Sequence, residues 1–400
     1  MASEWRPLGE FVSLASGNTP SKSNPEFWGG TVPWVSAKDM SDFWLEDAED
    51  HLTALGVENA SRIVPAGTVL MLVRGMTLHN RVPICRVATD VAFNQDVKAV
   101  LPKEGLCARF LPYLLVGNHD RLHERVDSAG HGTGRLNTDE ILSLPVFVPS
   151  KTEQADIAAI GEGLDERIHN LRQTNATLEA IAAALFKSWF VDFDGVPPED
   201  MQQSELGLIP KGWQVASLDS IADYLNGLAL QKFPPEGDTE FVPVIKIAQL
   251  RAGNTKGADK ASTKLKPEYI VEDGDVLFSW SGSLEVEVWT GGRGALNQHL
   301  FKITSREVPK WFYYFATRQH LPDFRAIAAG KATTMGHIQR GHLTAAKVAV
   351  PPPDQMAKHD VVIAPLFDQK INNALQVRTL ANLRDALLPR LISGKLRGAQ

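Results

Sequence analysis

IVPAGTVLMLVRG, residues 63–75, is said again as IVEDGDVLFSWSG, residues 270–282, in a chain of 400 residues. Both copies place Ile-Val ahead of a glycine-marked turn and then run through apolar residues to a closing glycine. A short apolar, β-branched run entered from such a turn is the pattern of a buried strand. One recurrence of that pattern is what chance allows between strand-rich regions. The question is whether the neighbours of the two stretches recur as well.

They do, and in the same order. Trp5 with its following Leu-x-x-Phe corresponds to Trp213 and SLDSI, VPWV at residues 32–35 to VPVI at 242–245, and FNQ at 93–95 to LNQ at 296–298. Gly134 of GRLN matches Gly336 of GHIQ, VFVP from Val146 matches VAVP from Val348, Gln154 matches Gln355, and Asp165 and Ile168 match Asp368 and Ile371. The offset drifts only between 201 and 210 residues, as small loop insertions produce. The whole chain is therefore an internal repeat of two long units.

Each repeat has two parts. The first, about 140 residues by the usual spacing of strand and turn signals, carries short Val/Ile-rich runs punctuated by Gly, Asn and Pro and reads as a strand-rich mixed domain. The second, from Glu153 to about Phe193, has no proline and sets Leu164, Ile168, Leu171, Leu178, Leu185 and Trp189 along one helix seam, with Asn175 and Ala182 in the remaining seam positions. Spacings of four and three in alternation are a heptad. Ile363, Phe367, Ile371, Ala374, Val377, Leu380, Leu383, Leu387 and Leu391 repeat the period less strictly, and Pro389 is expected to end or bend that helix. About 40 helical residues at 1.5 Å each make a rod of roughly 60 Å. A rod with one apolar seam needs a partner, and antiparallel pairing of the two rods, with a globular domain at each end, satisfies both.

The expected architecture is α+β: two similar strand-rich domains separated by two long antiparallel helices, an internal pseudo-twofold repeat. The expected boundaries are residues 1–150, a helix over 151–194, a linker over 195–212, a second domain over 213–352 and a last helix over 353–400.

A net charge of −6 opposes a polyanionic partner, but its distribution matters more. Residues 151–205 carry 4 basic against 11 acidic side chains, whereas residues 61–135 carry 10 against 6 and residues 206–400 carry 24 against 18. The two cysteines make no CxxC pair, no basic start with an apolar run opens the chain, and no apolar stretch approaches the ~20 residues that span a bilayer. A cytoplasmic protein is the expectation.

The motifs GNTPSKSNPEFWGGTVPWVSAKDM, EQADIAAIGEGLDERI, LFKSWFVDF, SELGLIPKGW and LLPRLISGKL, in this order and over essentially all of the chain, resemble the specificity subunit of type I restriction-modification systems. The resemblance implies two target recognition domains, each reading one half of a split double-stranded DNA sequence, with a spacer set by the helices. It implies a non-catalytic subunit that scaffolds two methyltransferase subunits and two restriction subunits in host defence. S-adenosylmethionine, ATP and Mg2+ are then used by those partners and none is bound by this chain. The second domain departs from the pattern, with NGLALQK at residues 226–232 where GxTPS is expected. Different half-sites require such divergence.

Base reading needs Arg or Lys for guanine, Asn or Gln for adenine, and small hydroxyls on loops that enter a groove. RGMTLHNR offers Arg74, Thr77, His79, Asn80 and Arg81 directly after a strand, and its counterpart offers Ser281 and Ser283. Two glycine-rich loops add His131, Thr133 and Arg135, and Lys331, Thr333, Thr334, His337, Gln339 and Arg340. The run KIAQLRAGNTKGADKASTKLK, with Lys246, Arg251 and Lys256, suits phosphates more than bases. For any one of these residues a solvated turn is the plainer reading, and Asn94 and Asn297 are expected to shape turns. Phe186, Trp189 and Phe190, with Leu387 and Leu391, either cap the intramolecular core or dock a partner subunit.

Enzymatic signatures are missing. The Pro-Pro sites follow Val196, Phe233 and Val350 rather than an acidic or amide residue, and no GxxxxGK[ST] loop occurs. Asp354 with Asp368 and Lys370 imitates a nuclease pattern, but inside a heptad helix. His119 and His123 lack a third metal ligand. An enzyme acting alone and a free-standing DNA-binding regulator are the rival readings.

Overall fold

A computed structural model of the chain describes residues 5–60, 62–129, 132–330 and 336–395. The chain divides into two compact units: unit 1 is Met1–His169 with Thr379–Gln400, and unit 2 is Asn170–Arg378.

In unit 1 the quoted stretch crosses between two sheets. Ile63–Val64 is an edge strand of a four-stranded sheet ordered Asp50–Leu52, Trp28–Val35, Val91–Phe93, Ile63–Val64. A turn at Gly67 (φ 86°) then delivers Val69–Leu72 to the middle of a five-stranded sheet ordered Val12–Ser16, Val97–Pro102, Val69–Leu72, Ile84–Val87, Trp44–Leu45. All four residues of Val69–Leu72 are buried, which is why the run is continuously apolar instead of alternating.

Unit 2 repeats the order of both sheets, without a counterpart of the Trp44–Leu45 strand among the described residues. Asp223–Asn226, Leu300–Thr304, Val276–Ser279 and Val286–Val288 form one sheet; Lys260–Ala261, Val242–Ile245, Gly294–Leu296 and Ile270–Val271 form the other. The sheet of Trp28–Val35 in unit 1 and that of Val242–Ile245 in unit 2 each have one parallel pair at their centre, in the same register: Phe93 opposite Val35, and Leu296 opposite Ile245. A short antiparallel pair closes each unit, Arg6–Pro7 with Pro145–Val146 and Gln214–Ser217 with Lys347–Val350.

Two repeated details explain repeated residues. Asn94 Oδ1 accepts from Asp96 N–H at 3.0 Å and Asn297 Oδ1 accepts from His299 N–H at 3.2 Å, so both asparagines shape the same turn. A Cβ on Gly17 would lie 1.9 Å from the Phe93 carbonyl oxygen, and one on Gly227 would lie 2.2 Å from that of Asn297. The glycine of the GxTPS stretch thus persists in NGLALQK because the strand end crosses a backbone carbonyl in both units.

The central helix spans Lys151–Lys187 and the C-terminal helix Pro353–Ile392. Ile168, Leu171 and Ala182 are buried on the expected seam. Within unit 2 the two helices run antiparallel, with Asn175 Nδ2 donating to the Lys370 carbonyl at 2.9 Å and the Trp189 ring tilted against that of His359 at 4.6 Å. A polar seam residue bonded across the pair pins its register. The C-terminal helix continues through Pro389 and ends one turn later, at Ile392. Asp354 and Asp368 both lie on it, ~21 Å apart along its axis at 1.5 Å per residue, too far to share a metal.

The last helical turns close the cores. Phe186 and Phe190, 3% and 4% exposed, sit in the core of unit 2 among Phe312, Phe315 and Trp311. Their counterparts Leu388 and Ile392 sit in the core of unit 1, and Ile392 packs against Gly117. Phe186 and Phe190 are therefore corrected from partner-docking residues to core residues: the unit's own aromatic side chains consume their surface. Trp189, Leu387 and Leu391 are half-buried. Between the halves, Met201–Ser204 pairs with Gly207–Pro210 as a hairpin whose Ile209 is buried in unit 2, so residues 195–212 hold more structure than a plain linker.

Candidate nucleic-acid interface

Two of the loops singled out in the sequence meet in unit 1. Arg74–Gly75 pairs with Thr133–Arg135, which pairs with Asp127–Ala129, as a three-stranded antiparallel sheet. Arg74 and Arg135 are register partners. Residues directly opposite on antiparallel strands share a face at about 5 Å between Cβ atoms, so two cations stand side by side. Both are exposed, and among the described residues neither guanidinium has a hydrogen-bond or ion-pair partner. Asp127, the other neighbour of Arg135 in register, accepts instead from Asn137 Nδ2 at 3.1 Å.

The rest of RGMTLHNR splits into residues that hold the loop and residues that it presents. His79 Nε2 bonds the Gly132 carbonyl at 2.7 Å. Arg81 donates to the carbonyls of Met40 and Ser41, both at 3.0 Å, and burial pushes its pKa down. His119 Nε2 accepts from Val82 N–H at 3.1 Å and His123 Nε2 bonds the Leu78 carbonyl at 2.9 Å, so these two histidines are clamps on the same loop. Among the described residues no group of three or more His, Cys, Asp or Glu is placed to hold a metal ion. Thr77 and Thr133 are half-buried and Asn80 is exposed, as is Met76 at 64%. His131 lies outside the described residues.

Sequence reasoning missed a neighbour of this face and a cation held on aromatic rings elsewhere in unit 1. The Val73 N–H donates to the Asp96 carbonyl at 2.8 Å, which brings the FNQ turn beside Arg74, and there Thr19 Oγ1 donates to Gln95 Oε1 at 2.6 Å. Lys22 stands 5.7 Å from the Trp34 ring centroid and 6.0 Å from that of Trp28. The signal was present in the paired FNQ and LNQ, where the glutamine is as repeated as the asparagine.

Unit 2 builds the corresponding place with other chemistry. Ser281 and His337 form a single antiparallel bridge where unit 1 has the Arg74 and Arg135 strands. The flanking bonds are equivalent: Leu136 N–H to the Val73 carbonyl at 2.9 Å and Ile338 N–H to the Trp280 carbonyl at 3.0 Å. Ser281 is 3% exposed and shares a 3.0 Å bond with His299 Nδ1, while the His337 ring meets Trp280 edge-on at 6.2 Å. Trp280 Nε1 donates to Asn226 Oδ1 at 3.0 Å. Ser283 is exposed, and Gln339 is the N-cap of a short helix whose first residue is Arg340. Arg340 donates to the Tyr224 carbonyl at 3.0 Å and lies over Phe301, which ties it down as Arg81 is tied in unit 1. Lys331, Thr333 and Thr334 lie outside the described residues. Of the lysine-rich run, Lys246 pairs with Asp259 and caps a short helix, whereas Arg251 and Lys256 are exposed without an ion pair among the described residues.

No helix among the described residues is long and apolar enough to cross a membrane. The family described as type I restriction modification DNA specificity domain matches twice, over residues 2–180 and 210–383. The chain is 29% identical to the type I restriction enzyme MjaIX specificity subunit of Methanocaldococcus jannaschii over 98% of its own length and 94% of that relative. It is 28% identical to the EcoR124I/EcoR124II specificity subunit of Escherichia coli over 42% of this chain and 43% of that one. The crystal structure of a type I restriction-modification S subunit from M. genitalium superposes with a TM-score of 0.53 at 15% identity, covering 98% of this chain and 96% of the other, and so shares the fold. With the family matching both halves and the repeat running through both units, the chain belongs to the type I restriction-modification DNA specificity family.

Proposed function

We infer that the protein binds double-stranded DNA as a specificity subunit in which each unit reads one half of a split target, and that the paired helices set the number of unread base pairs between the halves. One observation carries this reading: the two units share the strand order of their two main sheets, yet at the same place on that framework one presents Arg74 and Arg135 and the other His337 beside a buried Ser281. A common scaffold with different polar groups at one edge is what two readers of different sequences need.

The same repeat supports a scaffolding role, since two similar faces accept two copies of one partner. Those partners are two methyltransferase subunits, joined by two restriction subunits in the cytoplasm. The methyltransferase subunits bring S-adenosylmethionine, the restriction subunits ATP and Mg2+, and this chain contributes recognition without catalysis. Replacing residues 1–150 with the same region of a relative, assembling the complex and mapping the methylated motif tests the reading. One changed half of the motif is expected; two changed halves would mean a composite reading surface.

A further inference from the structure

We propose that the cross-strand position of Arg74 and Arg135 in unit 1, and of Ser281 and His337 in unit 2, determines specificity in each half-site, that the arginine pair reads guanine, and that in unit 2 His337 is the reader beside a buried, supporting Ser281. This rests on the DNA-reading assignment above and goes further by naming the position and the base.

Three observations converge on it. The first is that the two arginines are directly opposed and have no partner among the described residues, although the same loop holds its other long polar side chains tightly: Arg81 on two carbonyls and His79 on a third. Like charges directly opposite one another are unfavourable in a sheet. An acceptor-rich ligand removes that repulsion.

The second is that the position is structurally fixed. Gly75 has φ 152°, and a Cβ on Gly134 would fall 2.7 Å from the Leu78 Cβ, so the two strands meet through glycines directly beside the arginine pair. Long side chains on a rigid edge lose less freedom on binding than those on a mobile loop.

The third is the contrast with unit 2. The backbone bonds around the position are retained, while both side chains change in length and in donor geometry. Replacement of two forked donors by one imidazole, with the opposing Ser281 hydroxyl buried on His299, is the change expected of a reading position rather than of a general phosphate contact, because phosphate is the same under every sequence. Guanine offers O6 and N7 to a guanidinium fork in the major groove, and no other base presents that pair of acceptors. Exposed Met76 beside Arg74 adds an apolar group of the kind that meets a thymine methyl.

The experiment uses the full chain, in complex with its methyltransferase partners, and duplexes carrying its own methylated motif with single base-pair substitutions. Arg74→Ala and Arg135→Ala should each weaken binding to the intact motif about 5- to 150-fold. Discrimination at a G·C pair should be lost in one half-site only, with the other half-site read as before. Arg→Lys should not restore it, since lysine has no fork. Unchanged thermal unfolding of these variants shows that the fold is intact. A loss equal on every duplex, with a salt dependence shallower by about one unit, identifies phosphate contacts and overturns the proposal. Lost discrimination at an A·T pair also overturns it. If the unmodified chain does not distinguish its motif from a scrambled duplex, the DNA-reading assignment itself fails, a result separable from the other two.

Discussion

Unit 1 and unit 2 differ most where they are exposed and least where they are buried. The parallel strand pair, the turn asparagines Asn94 and Asn297 and the glycines Gly17 and Gly227 recur with the same bonds and close approaches. The edge strand Trp44–Leu45 is found in unit 1 alone, and its three-stranded sheet around Arg74 is reduced in unit 2 to one bridge at Ser281. The lesson is that the framework is constrained by packing and backbone hydrogen bonding, which leave few alternatives, whereas the edge is constrained only by what it touches.

The largest effects should come from breaking the cores at matched positions. Phe190→Ala should destabilise unit 2 by ~3–5 kcal/mol and Ile392→Ala unit 1 by ~2–5 kcal/mol. Hydrogen exchange resolved by region reads each loss. If Ile392→Ala loosens unit 2 and leaves unit 1 protected, the assignment of the C-terminal turns to unit 1 is wrong.

A sharper comparison uses the glycines. Gly17→Ala and Gly227→Ala both force a carbonyl contact well inside van der Waals distance, and each should cost about 1–3 kcal/mol in its own unit. Clearly unequal losses in urea unfolding would mean that the two frameworks are less alike than their strand order.

At the divergent edge the two units should respond oppositely in stability. Ser281→Ala removes a buried bond to His299 and should cost about 0.5–1.5 kcal/mol. Arg74→Ala removes an exposed, unpartnered cation and should stay within about 0.5 kcal/mol of the parent. A large loss from Arg74→Ala would show that the arginine is structural.

The smallest effect expected is one of pH, with opposite signs on the two parts of the central helix. Burial works to raise the pKa of Glu179, but Lys370 at 2.8 Å and Arg318 overcome it and hold the carboxyl below its ordinary range. Its contribution to unit 2 is in place above roughly pH 4.3 and is lost as pH falls through the lowered value. Burial raises the pKa of Asp165 in unit 1 by more than Arg384 at 2.6 Å lowers it. Its contribution is in place below roughly pH 3.9 and is lost as pH rises through the raised value. Glu179→Gln and Asp165→Asn should therefore flatten the two pH profiles in opposite directions, as unfolding midpoints would show.

Much of the fold was legible because its signals are local or repeated. The heptad from Leu164 to Trp189 and the doubled strand pattern need no knowledge of distant contacts. The fate of Phe186 and Phe190 was not legible, since a helix seam and a partner-facing patch use the same residues and only the neighbouring Phe312 and Trp311 decide between them. At the site, Arg74 and Arg135 were singled out separately, but their meeting depends on pairing between strands about 60 residues apart. Arg81 and Arg340 look like base readers in sequence; carbonyl oxygens from remote loops occupy them. Gln95 does repeat as Gln298, but its bond to Thr19 joins segments 76 residues apart and has no local signature.

The central claim is that each unit reads its own half-site at the same place on a shared framework. The direct test measures binding of the parent complex, an Arg74→Ala/Arg135→Ala complex and a His337→Ala complex to the motif and to duplexes altered in one half or the other. The arginine variant is expected to become indifferent to a change in one half-site and to stay fully sensitive in the other, with the His337 variant showing the reverse. Both variants losing discrimination in the same half-site, or in both, would contradict it.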